Sequence, residues 1–111
     1  MNIVFKTAKL QKIFNSEREL IKKYGKEQAA KIKMRMGVLK SAGNLSQVPV
    51  QPPDRCHGLS GKLEGYYAVD LKNPFRLIFR PVCDELPVKE DGSTDLSKIT
   101  EIQICSVEDY H

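Results

Sequence analysis

The 111-residue sequence has no tryptophan, only two histidines and only three cysteines. The cysteines, Cys56, Cys83 and Cys105, are odd in number and far apart, which excludes the dense disulfide framework of a small secreted protein. No Cys-x-x-Cys pair is present, so a structural zinc site is not expected. We therefore expect three reduced thiols, two of them on strands.

Long apolar runs are also absent. The longest uncharged stretch, residues 41–53, contains three prolines and several polar residues, whereas a membrane span needs roughly 20 apolar residues. The beginning of the chain, MNIVFKTAKL, lacks the apolar region and the small-residue cleavage site of a signal peptide. We expect a cytoplasmic protein without a membrane partner, folded as a single domain over residues 1–111.

Charge is distributed unevenly along the chain. Residues 1–43 hold eleven Lys or Arg and three Glu, a net charge of +8. Residues 44–111 hold seven basic and eleven acidic residues, a net charge of −4. A basic first half suggests an anionic partner such as nucleic acid or an acidic protein. Charge alone favours the plainer alternative, a pair of amphipathic helices whose lysines face solvent.

Apolar spacing predicts two helices in this basic half. Apolar residues recur at helical intervals over residues 9–24, with Thr7 as the N-cap and Gly25 as the C-cap. The Asn-Ser pair at residues 15–16 favours an interruption, because both side chains compete for backbone hydrogen bonds. A second helix is predicted over residues 26–41. The short turn between the helices predicts an antiparallel pair. The apolar stripe of the second helix consists of Ala29, Ile32, Met36 and Leu39.

The remainder of the chain predicts strands, over residues 1–5, 65–71, 75–80 and 99–107. Three prolines exclude regular structure from residues 41–53, and residues 81–97 form an acidic connection that is either mobile or an elaborated turn. The expected class is α+β, with two N-terminal antiparallel helices packed on one face of a small, mainly antiparallel sheet. Alternation along the third strand puts Arg76 and Arg80 on the sheet face away from the helices.

Histidine and arginine are the residues here that suit phosphate chemistry. His57 and His111 can transfer protons near neutral pH; the alternative is a loop histidine and a frayed terminus. Arg76 and Arg80 can hold phosphate oxygens with their guanidinium groups; the alternative is a structural ion pair with Asp70, which we favour more for Arg80 than for Arg76.

The tyrosines, and the phosphate-binding and metal-binding motifs that the sequence lacks, limit the phosphate chemistry that we expect. Tyr66 and Tyr110 can stack on bases or donate a phenol proton, whereas Tyr67 shares a face with apolar residues and is expected in the core. No glycine-rich phosphate loop and no acidic cluster for magnesium is present, so we expect neither a cofactor nor a metal. A nuclease without metal needs a substrate that carries its own nucleophile, and RNA does so in its 2′-OH.

Five segments together resemble one known family. They are KLQKIF at 9–14, KKYG at 22–25, CHGLSG to EGYYAVDL at 56–71, NPFRLIF at 73–79 and EDYH at 108–111. The chain resembles the RelE superfamily, specifically the HigB-like toxins (plasmid maintenance system killer proteins) of type II toxin–antitoxin systems. The resemblance implies a compact RelE-like α+β domain along essentially the whole chain.

The resemblance also implies an activity and its partners. Such toxins are ribosome-dependent, metal-independent endoribonucleases (mRNA interferases) that cleave mRNA in the ribosomal A site by 2′-OH attack and so arrest growth. The implied inhibitor is a HigA-like antitoxin with a helix-turn-helix, and operator DNA is bound only through that antitoxin. The alternative is a degenerate toxin, a non-catalytic RNA- or antitoxin-binding module that acts as a co-repressor.

The implied catalytic residues follow from the matched motifs. His57 matches the family histidine that precedes the hairpin, and Arg76 matches the arginine that contacts the scissile phosphate. Tyr110 and His111 match the C-terminal pair that positions and protonates the substrate.

One position departs from the family pattern. Some relatives place a lysine where this chain has Ser60. Lys62 lies two residues further on, and on a strand it would share the face of Ser60 and replace that charge; the alternative is that this role is missing from the chain. We therefore expect Lys62, together with Arg80 and Tyr66, to bind RNA. The basic helices add an expected surface for ribosomal RNA.

Overall fold

The structure, a computed structural model, describes residues 1–109 of the chain. Three helices precede most of the strands. The helices are α1 (Ala8–Phe14), α2 (Glu17–Tyr24) and α3 (Lys26–Ser41). The strands are β1 (Asn2–Phe5), β2 (His57–Gly58), β3 (Tyr67–Asp70), β4 (Phe75–Pro81) and β5 (Glu101–Asp109). Short 3₁₀ helices occupy Leu45–Gln47, Gly61–Leu63 and Leu96–Lys98. The predicted α+β class is confirmed.

The first predicted helix is in fact two helices, and each begins at its own cap. The Thr7 side chain accepts a hydrogen bond from the backbone N–H of Leu10 at 3.1 Å. The Ser16 hydroxyl accepts one from the N–H of Glu19 at 3.2 Å and so starts α2. Gly25, with φ of 86°, ends α2 and precedes α3. The two-helix prediction is therefore corrected to three, because Ser16 is a better N-cap than a helix-interior residue.

The sheet has the order β1-β5-β4-β3-β2. β1 runs parallel to β5, and the other neighbours are antiparallel. A register shift between Ile78 and Phe79 leaves Cys105 without an opposite residue, which is a β-bulge in β5. Because β5 pairs on both sides, it holds the edge strand β1 against the antiparallel part of the sheet.

One face of the sheet packs against the helices. Buried residues from both layers form a single apolar cluster, which includes Leu20, Ala29, Ile32, Leu39, Val69, Leu77, Phe79, Ile102 and Ile104. Tyr67 belongs to this layer, since its ring stacks on that of Phe79 with centroids 6.2 Å apart. Of the predicted α3 stripe, three residues are buried and Met36 is half-buried at its rim. The core thus lies between the helices and the sheet.

Two connections differ from their predictions. Residues 45–47 form a 3₁₀ turn inside the stretch predicted to lack regular structure. The Asn44 side chain caps this turn by accepting from the N–H of Ser46 at 3.0 Å, and the buried Leu45 anchors it to the core. Between β4 and β5 a bridge pairs Val88 with Thr94, which matches the elaborated-turn alternative.

All three cysteines are free thiols, but only Cys105 lies on a strand. Cys56 precedes β2, and Cys83 is exposed just beyond the end of β4 at Pro81. The prediction of two thiols on strands is therefore wrong by one. Within residues 1–109, no helix is both long and apolar enough to cross a membrane.

Candidate functional site

The sheet face opposite the helices, here called the distal face, brings several predicted site residues together. His57 in β2 lies opposite Ala68 in β3, which in turn lies opposite Ile78 in β4. One step along β3 and β4 on the same face, Asp70 lies opposite Arg76. Directly opposed residues in a sheet point to the same side, as do residues two apart on one strand. His57 and Arg76 therefore share the distal face.

The floor between these two residues is apolar. Ala68 is 0% exposed and Ile78 is 1% exposed, yet neither belongs to the core cluster beneath the helices. From strand geometry, the Cα atoms of His57 and Arg76 lie about 12 Å apart, two strands across and two residues along. Ala68 and Ile78 are therefore covered by other side chains, and water is excluded from this part of the distal face.

The tautomer of His57 is set by its neighbour. The imidazole Nδ1 lies 2.6 Å from the backbone oxygen of Arg55. A carbonyl oxygen can only accept, so Nδ1 carries the hydrogen. In the neutral ring, Nε2 then keeps its lone pair and can accept a proton from a ligand. The half-buried ring is therefore arranged as a base at its outer nitrogen.

Arg76 keeps its hydrogen-bond donors for a ligand. Its Nε lies 3.6 Å from Oδ1 of Asp70, close enough for attraction but too far for a hydrogen bond. No hydrogen bond from the guanidinium of Arg76 occurs within residues 1–109. Arg80 is exposed and joins no ion pair in that part of the chain. Our expectation that an ion pair with Asp70 suits Arg80 better than Arg76 is therefore wrong, because the β3–β4 register puts Arg76 opposite Asp70.

Arg55 is a site residue that sequence reasoning missed. Its Nε and Nη2 donate to the two carboxylate oxygens of Asp70 at 2.7 and 3.1 Å. These hydrogen bonds, and then the charge of the carboxylate, raise the pKa of Arg55 above its ordinary value, so the side chain stays charged. The one signal in the sequence was its spacing of two residues from His57, which is the spacing of side chains on one strand face.

A buried pair supports Asp70 from beneath. The Nε of Arg35 donates to the backbone oxygen of Asp70 at 2.6 Å and lies 3.6 Å from Oδ1 of Asp54. The N–H of Asp70 donates to the backbone oxygen of Asp54 at 2.8 Å. Arg35 and Asp54 are both almost fully buried. The end of β3 that carries Asp70 is thereby fixed to α3.

Two of the three predicted RNA-binding residues, Tyr66 and Arg80, lie at the other end of the distal face. Tyr66 precedes Tyr67, Arg80 follows Phe79, and Tyr67 and Phe79 lie opposite each other. Lys62 is exposed in the 3₁₀ helix Gly61–Leu63, and Ser60 is the N-cap of that helix. The strand argument for Lys62 in place of a lysine at Ser60 is therefore wrong, because alternation does not hold in a 3₁₀ helix.

Tyr110 and His111, the remaining predicted catalytic residues, lie outside the described residues. The last described residue of β5, Asp109, lies opposite Phe75, one position from Arg76. Across residues 1–109, no three His, Cys, Asp or Glu side chains come together as a metal site.

Two solved structures of bacterial toxins have a similar fold, although no protein-family model and no curated protein matches the chain. A YoeB/ParE toxin from Agrobacterium tumefaciens is similar over 100% of both chains, with a TM-score of 0.57 and 12% identity. The YoeB–YefM complex from Staphylococcus aureus is similar over 100% of this chain and 97% of that chain, with a TM-score of 0.54 and 18% identity. At these identities the likeness establishes a shared fold: the chain has the compact α+β fold of YoeB/ParE-type toxins.

Proposed function

We propose that this protein is the toxin of a type II toxin–antitoxin system and that it cleaves mRNA on the ribosome without a metal ion. One observation carries the proposal. His57, with its outer nitrogen free to accept a proton, shares a sheet face with Arg76, whose guanidinium donors are uncommitted. The shared fold with YoeB/ParE-type toxins and the HigB-like motifs support the same conclusion.

The proposed reaction uses the nucleophile of the substrate itself. Nε2 of His57 removes the proton of a ribose 2′-OH, and the 2′-oxygen attacks the adjacent phosphorus. Arg76 donates to the non-bridging oxygens as charge builds on the phosphorane. The 5′-oxygen leaves with a proton from His111, which Tyr110 helps to orient. The products are a 2′,3′-cyclic phosphate and a 5′-hydroxyl.

The proposed partners follow from the same assignment. The mRNA substrate lies in the ribosomal A site, where Lys62, Arg80 and Tyr66 contact the RNA. The basic first half of the chain, with its net charge of +8, faces ribosomal RNA. A HigA-like antitoxin with a helix-turn-helix holds the toxin inactive, and operator DNA is bound through the antitoxin.

Cleavage by the purified protein on programmed ribosomes tests the proposal, and treating the toxin alone with EDTA and desalting it beforehand removes any metal that it carries. We expect codon-phased cuts that end in a 2′,3′-cyclic phosphate. We expect His57→Ala, which removes the base, to lower the cleavage rate by about 10² to 10⁴. Arg76→Lys keeps a charge but loses the paired donors, so we expect a smaller loss than for Arg76→Ala.

Lys89→Ala is the matched control for these variants. It removes an exposed cation from the β4–β5 connection, and we expect parental cleavage. Deletion of residues 110–111 should abolish cleavage while the far-UV circular dichroism spectrum stays unchanged. Parental cleavage by the His57→Ala and Arg76→Ala variants would refute the assignment.

Ser60 favours a second candidate, a non-catalytic module that binds RNA or antitoxin and acts as a co-repressor. The lysine of some relatives is missing there, and the 3₁₀ helix gives Lys62 a different direction. Primer extension on translated mRNA after induction separates the two. Growth arrest without cuts would support the binding module.

A further inference from the structure

We propose that Arg55 is a positioning residue that joins the two halves of the site: its backbone oxygen sets the tautomer of His57, and its guanidinium fixes Asp70 and thereby Arg76. The inference rests on the proposed function for its activity readout, whereas its spectroscopic readout depends only on the hydrogen bond between His57 and the backbone of Arg55. Nothing in the family motifs assigned a role to this residue.

The backbone half of the argument starts from an unusual conformation. Arg55 is the one non-glycine residue with positive φ, 46°, among residues 1–109. Left-handed backbone is disfavoured for residues with a Cβ and persists where the surrounding structure imposes it. Its N–H donates to the oxygen of Gln51 at 2.9 Å, and its own oxygen lies 2.6 Å from Nδ1 of His57. The left-handed turn thus aims a carbonyl at the imidazole.

The side-chain half of the argument concerns Asp70. Its two carboxylate oxygens accept the Nε and Nη2 donors of Arg55 in a bidentate pair. Arg76 approaches the same carboxylate, with Nε 3.6 Å from Oδ1, but forms no hydrogen bond with it. Arg55 therefore satisfies Asp70, and Arg76 is attracted to its position while its donors stay free for phosphate. Without Arg55, we expect the Asp70 carboxylate to accept hydrogen bonds from the Arg76 guanidinium.

Two substitutions at one position separate these roles. Arg55→Asn and Arg55→Val both remove the guanidinium. Asparagine tolerates left-handed backbone, whereas a β-branched residue there is a genuine outlier. The Asn variant therefore keeps the carbonyl in place and loses only the hold on Asp70. The Val variant loses both.

The first readout is the tautomer of His57 by long-range ¹H–¹⁵N NMR. The chain has only two histidines, so the His57→Gln variant assigns the signals. We expect an Nδ1-protonated ring in the parent and in the Asn variant, and a mixture of tautomers in the Val variant. Parental tautomers in the Val variant, with a folded circular dichroism spectrum, would overturn the backbone role. If the Val variant does not fold, an Asn variant with mixed tautomers overturns it instead.

The second readout is the cleavage rate on programmed ribosomes. We expect the Asn variant to be slower by about tenfold and the Val variant by about a hundredfold, since small displacements of reacting groups have effects of this size. Parental cleavage by the Asn variant would overturn the role of the guanidinium. A parent protein that shows the predicted tautomers and cuts no RNA would overturn the proposed function, and would still support the hold of Arg55 on His57.

Discussion

Replacing Arg35 by methionine tests whether the buried pair beneath the site stabilises the fold. The side chain of Arg35 is 4% exposed and that of Asp54 is 9% exposed. Oδ1 of Asp54 is buried without a hydrogen bond. Within the described residues, the positive charge of Arg35, whose Nε lies 3.6 Å away, is what compensates for burying this carboxylate. Methionine fills a similar volume and removes the charge. The carboxylate is then left buried and unpaired.

The expected loss follows from this burial. Removing one partner of a buried ion pair costs about 3 to 5 kcal/mol in the free energy of unfolding. Lys33→Met is the matched control, because Lys33 lies on the same helix as Arg35. It forms an exposed ion pair with Glu17 of α2, in which the side chains are 52% and 65% exposed. Exposed pairs contribute less than about 1 kcal/mol. The two Met variants should therefore differ by at least about 2 kcal/mol.

Urea unfolding followed by far-UV circular dichroism measures both variants. At equal slopes, we expect the midpoint for Arg35→Met to fall by more than about 1 M relative to the parent. Adding Asp54→Asn to Arg35→Met should restore part of the loss, with a coupling energy of at least about 1 kcal/mol in the double-mutant cycle. A loss for Arg35→Met no larger than that for Lys33→Met would refute the reasoning.

Two glycines and two thiols provide the other tests. Gly25→Ala should destabilise the fold by about 1 to 3 kcal/mol in urea unfolding, because φ of 86° with ψ of 160° is a glycine conformation. Gly37→Ala, inside α3 with open space at the Cβ position, should stabilise the fold by up to about 1 kcal/mol; a loss there would contradict the helix assignment. Burial, and then the charge of Asp54, raises the pKa of Cys56 from 9.0 to about 11. Iodoacetamide at pH 8 should therefore label the exposed Cys83 first, and the labelling rate of Cys56, followed by mass spectrometry, should rise about tenfold per pH unit up to its pKa. The folded chain keeps the Cys56 thiol proton to a higher pH than the unfolded chain does, so the free energy of unfolding should fall as the pH rises from about 9 towards 11. Equal labelling of Cys56 and Cys83 at pH 8 would contradict the raised pKa of Cys56.

Local sequence signals predicted the helix ends and the strand faces well where a single nearby interaction decides them. Thr7 and Gly25 lie at the helix ends that the sequence predicts for them, and Ser16 starts α2 at the predicted interruption. Strict alternation along β4 correctly separated Leu77 and Phe79 from the arginines. In each case the deciding partner lies within a few residues of the signal, so the chain itself contains the information.

The missed features depend on partners that are distant in sequence. Nothing local distinguishes the buried Arg35 from the exposed lysines of α3, because its partner Asp54 lies 19 residues away. The pairing of Asp70 with Arg76 required the strand register, and that of Arg55 required the path of a proline-rich loop. The motif resemblance indicated His57 and Arg76, but the hydrogen bond that fixes the imidazole comes from a backbone atom, which residue patterns do not reveal.

The sheet order has a consequence for synthesis. Of the described strands, β1 leaves the ribosome before the others, yet its neighbour in the sheet, β5 (Glu101–Asp109), leaves after them, and β5 is also a neighbour of β4. A nascent chain whose β5 residues are still inside the exit tunnel can form its helices and the β3–β4 hairpin, but cannot close its sheet. Long-range pairing of this kind slows folding. The chain therefore stays incomplete on its own ribosome until β5 emerges, and a partner present during that interval meets it before the sheet has closed.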